Sequence, residues 1–251
     1  MFLFMIPSAI IQILLLAALI PPIILMVMVY KQDKIEKEPV WLIVRLILFG
    51  CVSVLPAALL EILMDIILQT AIPNTQSILY LVLENFLGVA IIEEGCKYYF
   101  LWWQTWRSPE FNYRFDGIVY AVSVSLGFAA LENIQYVFSY GLGTALSRAI
   151  LAIPLHCICG IFMGHFYGEA KFAEARGLAS SKTRNMVYAI LVPTLIHGFY
   201  DFALSTQSGV ATIVFLVYVI ILDIVAFRSI KKFSNEDVAL YQDQGFRYYY
   251  K

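Results

Sequence analysis

Apolar runs recur along this chain, each closed by a short polar break, at the length of about 20 residues that a helix needs to cross a bilayer. They cover residues 7–30, 40–68, 78–103, 117–139, 144–168, 185–204 and 210–227. Only helices satisfy every backbone group inside such a segment. With 61% hydrophobic and 14% charged residues, the chain departs from soluble domains, which run near 45–50% and about 25%. The expectation is an all-α polytopic membrane protein of about seven transmembrane helices. No repeat or soluble insertion interrupts it, so residues 1–228 read as one bundle and 229–251 as a cytoplasmic tail.

Lysine and arginine placement orients the bundle. The breaks after spans one, three and five carry Lys31, Lys34, Lys37, then Arg107, Arg114, then Lys171, Arg176, Lys182, Arg184. The tail adds Arg228, Lys231, Lys232, Arg247 and Lys251, and the short breaks after spans two and six carry none. This predicts a cell-membrane protein with its N-terminus outside and its C-terminus in the cytoplasm. The N-terminal run lacks a positive n-region and a small-residue cleavage site, and reads as a retained first span. A net charge of −1 with no basic stripe argues against nucleic acid. Cys51, Cys96, Cys157 and Cys159 all lie in apolar runs and read as packed thiols.

Polar groups interrupt four consecutive spans. Glu93, Glu94 and Lys97 fall within one helical turn of span three, where both carboxylates can share one ammonium. Span four carries Glu132-Asn133, span five His156, and span six His197 with Asp201 four residues on. Each charge at the bilayer centre costs about 2.5–3.5 kcal/mol on insertion scales, so such groups face the bundle interior or a wet cavity. Singly, each has a structural reading: an ion-pair lock, helix–helix glue, a satisfied core histidine. Together they point to one site. His165, nine residues after His156, faces the other way. Gly160, Gly164 and Gly168 continue the His156 stripe and invite close packing. Glu61 and Asp65 line a vestibule or contact Arg148, and Asp116 reads as an N-cap.

The chemistry these residues allow is hydrolysis. Glu93 or Glu94 can activate water. His156 and His197 can stabilise an oxyanion, or can join a carboxylate of Glu132 or Asp201 around a Zn²⁺-like ion. The sequence contains no HExxH, no GxSxG and no GxGD, which excludes the common zincin, serine and presenilin-type sites. An ion-coupled transporter, or an immunity or sensor protein, is the rival class, weakened by the lack of paired repeats.

Taken in order, EExxK (Glu93 to Lys97), Asp116-Gly117, GFAALEN (Gly127 to Asn133), PxH (Pro154 to His156) and HGFYD (His197 to Asp201) closely resemble the PrsW family of intramembrane proteases, relatives of the CAAX-protease superfamily. The resemblance covers spans three to six and marks residues 78–205 as the catalytic core. It implies cleavage of a membrane-embedded or membrane-tethered protein, with site-1 cleavage of a single-span bacterial anti-sigma factor as the best-known role. It also implies a catalytic set of Glu93, Glu94, Glu132, His156 and His197, to which the residue spacing adds Lys97 to tune the glutamates and Asp201 to support His197. CAAX-type enzymes have histidine where this chain has Glu132.

Overall fold

A computed structural model describes residues 8–206 and 208–241. Pro7, Arg247 and Lys251, which the sequence reading used, lie outside the described residues. The chain forms α1 (Ser8–Gln32), α2 (Val40–Ala71), α3 (Ile78–Leu83), a π-helical segment (Glu84–Ala90), α4 (Ile91–Thr105), α5 (Asp116–Tyr140), α6 (Leu142–Ile150), α7 (Ala152–Ala175), α8 (Ala179–Ser205) and α9 (Gly209–Asn235). It is an all-α helical bundle, and the extended backbone among the described residues is an isolated antiparallel bridge between Tyr113 and Ala239. Six helices are long and apolar enough to cross a membrane, counting α6 and α7 as one.

Two expected spans are interrupted, and both interruptions bear on the site. Span three runs through α3, the π segment and α4, with the Ile91 N–H donating to Phe86 O five residues back. Span five begins as the short amphipathic α6 and restarts at α7 after Leu151. Gly141, at φ 85°, makes the turn between α5 and α6, a conformation that a side chain resists. Ser77 and Ser208 cap α3 and α9 by accepting from the amides of Tyr80 and Ala211.

α5 is the axis of the bundle: 83% of its apolar window is buried, against 17% for α1 and α9. The outer helices turn Ile13, Leu16, Ile213 and Ile220 outward, as lipid-facing surfaces do. Glycine sets the closest approaches. A Cβ at Gly164 would lie 2.4 Å from Gly117 O and Ile118 Cα, and one at Gly168 would lie 2.2 Å from Arg114 O. The expected glycine stripe of α7 thus packs backbone to backbone on α5. A second such crossing joins α2 to α5, where Cβ atoms at Gly50 and Gly127 would each meet a backbone oxygen at 2.1 Å.

The basic breaks meet at one end of the bundle. There Lys34 Nζ donates to Asn235 Oδ1 at 2.8 Å, Lys171 Nζ to Trp106 O at 2.8 Å, and the Phe115 N–H to Asp237 Oδ1 at 2.8 Å. Asp116 departs from its expected N-cap role. Phe115 occupies that position, and the Asp116 carboxylate turns back to accept from the amides of Asn112 (2.9 Å) and Tyr113 (2.7 Å).

Candidate active site

The polar residues of spans three to six converge. Lys97 Nζ is 2.7 Å from Glu94 Oε1, 2.9 Å from Glu93 Oε2 and 3.1 Å from His156 Nδ1, and its ammonium lies 4.2 Å from the Phe128 ring centroid. His197 Nδ1 lies 3.0 Å from Glu94 Oε1. The two imidazoles meet edge to face with centroids 5.3 Å apart. Glu94 and Lys97 are fully buried. In such a medium two carboxylates, one ammonium and two imidazoles hold each other in place, since removing any one leaves an uncompensated charge.

Each histidine has a carboxylate on its other nitrogen: Glu132 Oε2 at 3.0 Å from His156 Nε2, and Asp201 Oδ2 at 3.2 Å from His197 Nε2. The i,i+4 spacing of His197 and Asp201 therefore makes the contact expected of it. Arg148 of α6 completes the set, 2.9 Å from Glu132 Oε2 and 3.0 Å from Asn133 Oδ1, with Tyr136 beneath its guanidinium at 4.1 Å. Arg148 binds Glu132 and Asn133 in place of the expected Glu61 or Asp65. Asp65 accepts from Gln69 and from the Tyr80 hydroxyl at 2.9 Å, while Glu61 lines the cavity. Asn133 also donates to Ala18 O at 2.9 Å, joining α5 to α1.

Local backbone features bring these groups together. The π segment adds a residue to the turn before Glu93 and shifts the helix face that follows. On α8, Gly198 lies against Phe86 of that segment, where a Cβ would fall 2.5 Å from Cδ1. This close approach puts His197, one residue earlier, within reach of Glu94. Ser125 of α5 donates to His156 O at 2.7 Å and ties α7 at the level of the site.

Above the charges lies a cavity of about 600 Å³, walled by α2, the π segment, α4, α5, α6, α7 and α8. Glu93, Glu132, His156, His197, Asp201 and Arg148 line it, while Glu94 and Lys97 stand behind the wall. The volume is that of a small-molecule or short-peptide pocket. Its far rim is formed by Gln135, Tyr136, Ser147, Leu204 and Ser205, at the end of the bundle away from the basic breaks. His165 sits elsewhere, stacked on Phe233 at 3.8 Å. All four cysteines are free thiols.

The pairing of Arg148 with Glu132 and the π segment escaped the sequence reading, which set Arg148 against Glu61 or Asp65. Nothing in the composition of residues 84–90 announces a π turn.

A buried acid–base cluster opening on a cavity within an apolar bundle defines a class: a polytopic membrane protein equipped for hydrolysis inside the bilayer. The comparisons with known proteins carry this further. The model of the PrsW family of intramembrane metalloproteases matches residues 38–227, and the chain belongs to that family. It is 34% identical over 224 residues to a protein named Protease PrsW from Oceanobacillus iheyensis, covering 89% of this chain and 97% of that one. Proteins of the same name from Bacillus subtilis (32% identity, 77% and 83% covered) and Clostridioides difficile (30%, 88% and 92%) are also similar. No solved structure matches the chain. It is an intramembrane protease.

The residues supply the donor types for the metal that the family description implies, with Lys97 Nζ standing 2.7–3.1 Å from the donor atoms of Glu94, Glu93 and His156. Glu93, Glu94, His156 and His197 each offer a donor atom, all within 4.8 Å of one another. Two imidazoles and two carboxylates suit a Zn²⁺-class ion, and a carboxylate on the far nitrogen of each imidazole is the usual support for a metal-ligating histidine. Glu94 Oε2 is buried without a partner, as a ligand oxygen awaiting a cation would be. Glu132, a candidate ligand from sequence, stands behind His156 in the supporting position.

Proposed function

We propose that Glu93 is the water-activating base and that Glu94 holds the scaffold behind it. The carrying observation is their unequal exposure: Glu93 faces the cavity, while Glu94 is sealed between Lys97 and His197. Lys97 fixes both carboxylates, and Glu132 and Asp201 fix the orientation of His156 and His197. Arg148, among the described residues the one lysine or arginine lining the cavity, is held by Glu132 and Asn133 and would lend positive charge to developing negative charge on a scissile carbonyl. A divalent ion held by His156, His197 and Glu94 would supply Lewis-acid polarisation of that carbonyl, leaving Glu93 free as the base. A peptide bond inside a helix has its amide hydrogen bond made, so the substrate segment must unwind to enter.

The basic breaks put their end of the bundle in the cytoplasm, with the N-terminus outside. The cavity rim then faces outward, which suits cleavage of a single-span protein near the outer leaflet. An anti-sigma factor tethered in a bacterial cell membrane is the substrate class the family resemblance favours. Co-expression with tagged single-span substrates tests the reading. Glu93→Gln should lower cleavage about 10²–10⁴-fold at unchanged protein level, and Glu94→Gln should reduce thermal stability as well. Wild-type cleavage by Glu93→Gln, Glu94→Gln and His197→Ala alike would sink it. Elemental analysis of purified wild type and His197→Ala should show bound transition metal falling together with activity.

A further inference from the structure

At the opposite end of α5 from Glu132, three carboxylates are buried together. Asp33 and Glu38 come from the α1–α2 connection and Asp116 from the first residue of α5, and one carboxylate oxygen from each lies within 4.8 Å of those of the other two. Asp33 is 1% exposed, Glu38 3% and Asp116 0%. Partners satisfy part of this set: Tyr120 donates to Glu38 Oε2 at 2.7 Å, and the amides of Asn112 and Tyr113 donate to Asp116 Oδ2. Asp33 Oδ2 and Asp116 Oδ1, by contrast, are buried with no hydrogen-bond partner. Among the described residues no lysine or arginine forms an ion pair with any of the three. The Lys37 ammonium is turned to the backbone oxygens of Tyr30 and Asp33.

Three carboxylates buried this close together are costly, and Asp33 Oδ2 and Asp116 Oδ1 are left without a donor in the same cluster. We propose that Asp33, Glu38 and Asp116 form a binding site for a hard divalent cation of the calcium or magnesium class, separate from the catalytic cluster. The donors are all oxygen, which excludes the preference for nitrogen and sulfur that Zn²⁺ shows. Donor atoms this close together can reach one hard cation, for which metal–oxygen distances run from about 2.1 Å for Mg²⁺ to about 2.3–2.6 Å for Ca²⁺. Burial, with neighbouring carboxylates adding to it, pushes Asp33 up to about 6 and Glu38 up to about 7, the penalty that a cation would relieve. The site lies where the α1–α2 connection and residues 237–240 meet the start of α5. Arg114 N donates to Val238 O at 3.1 Å and Leu240 N to Asn112 O at 2.8 Å. A cation there would staple the α1–α2 connection to the start of the helix that carries Glu132.

Full-length protein in detergent, stripped with chelator and titrated with Tb³⁺ as a calcium probe, tests this. The nearby Tyr30 and Tyr120 make tyrosine-sensitised emission the readout. Wild type and His197→Ala should both show saturable emission displaced by Ca²⁺ or Mg²⁺, and the thermal midpoint of both should rise when either ion is added. The ion giving the larger rise identifies the occupant. Asp33→Asn should lose at least about tenfold in affinity, because ligand charge sets affinity in such sites, and its midpoint should no longer respond. No saturable emission in wild type would overturn the proposal, as would emission lost in His197→Ala and kept in Asp33→Asn. A third overturning result comes from stability alone. If the carboxylates merely repel one another, chelated and Ca²⁺-loaded wild type melt alike and Asp33→Asn is more stable than either.

Discussion

Two clusters of buried carboxylates stand at the two ends of α5, and they are built on different rules. Around Glu132, each carboxylate of the catalytic set meets a base, although Glu94 Oε2 has no hydrogen-bond partner: Glu93 and Glu94 share Lys97, Glu132 takes Arg148 and His156, and Asp201 takes His197. Around Asp116, the partners are amides and a phenol, and two oxygens have none. A compensated cluster can remain in an apolar bundle with its charges in fixed positions, which is what catalysis needs. An uncompensated one invites a ligand. The contrast teaches that buried charge alone does not identify the reacting site; its internal balance and its access to a cavity do.

The sharpest way to break the comparison is to make the first cluster resemble the second. Lys97→Met fills similar volume and removes the only ammonium between Glu93 and Glu94. Leaving a buried pair broken costs about 3–5 kcal/mol, so thermal denaturation in detergent should show a fall of that size, with cleavage lost. If the variant keeps wild-type stability, Lys97 is not what balances the glutamates.

Arg148→Gln works on the same balance from the cavity side. It keeps a hydrogen bond to Asn133 within reach while removing the charge beside Glu132. Cleavage should drop by about 10–100-fold, the usual effect of losing a group that supports a reactive one, while the melting point moves little. A purely structural Arg148 would give the reverse: a lowered melting point with near-normal turnover per folded molecule.

Both clusters are mounted on α5, so the seam that fixes α5 against α7 is the next place to press. At Gly164 a methyl group would overlap Gly117 O and Ile118 Cα, both backbone atoms that cannot rotate away. Gly164→Ala should therefore destabilise by about 1–3 kcal/mol through overpacking. Gly95 of α4, where a Cβ would meet nothing within 4 Å, is the control. Gly95→Ala should be neutral or stabilise by up to about 0.5–1 kcal/mol.

Much of the catalytic cluster was legible in the sequence because charge in an apolar run is conspicuous and helical spacing places it on a face. Glu93, Glu94 and Lys97 needed only the 3.6-residue period, and His197 with Asp201 only the i,i+4 rule. Assembly is harder to read: at about 1.5 Å per residue, Glu93 lies about 22 Å along span three from Ile78 and His156 about 18 Å along span five from Thr144. The π segment and the break at Leu151 alter that count, and neither has a compositional mark. The second cluster was missed for a different reason. Asp33, Glu38 and Asp116 sit among loop residues, where acids look solvated, and only tertiary packing shows them buried. Asp116 looked like a cap because an acid at a helix start usually is one.

His165 gives the smallest effect and the cleanest discrimination. It is an imidazole within the same helix as His156, yet its ring lies parallel to Phe233 at 3.8 Å and 7° and no carboxylate supports its nitrogens as Glu132 supports His156. If imidazoles matter here only where carboxylates orient them toward the cavity, His165→Phe should preserve the stack. Stability should then change by less than about 0.5 kcal/mol, as at sites away from any special interaction, and cleavage should stay at the wild-type rate. A marked loss of turnover in His165→Phe would mean that reactive chemistry extends toward the basic end, and that the division between the two ends of α5 is drawn in the wrong place.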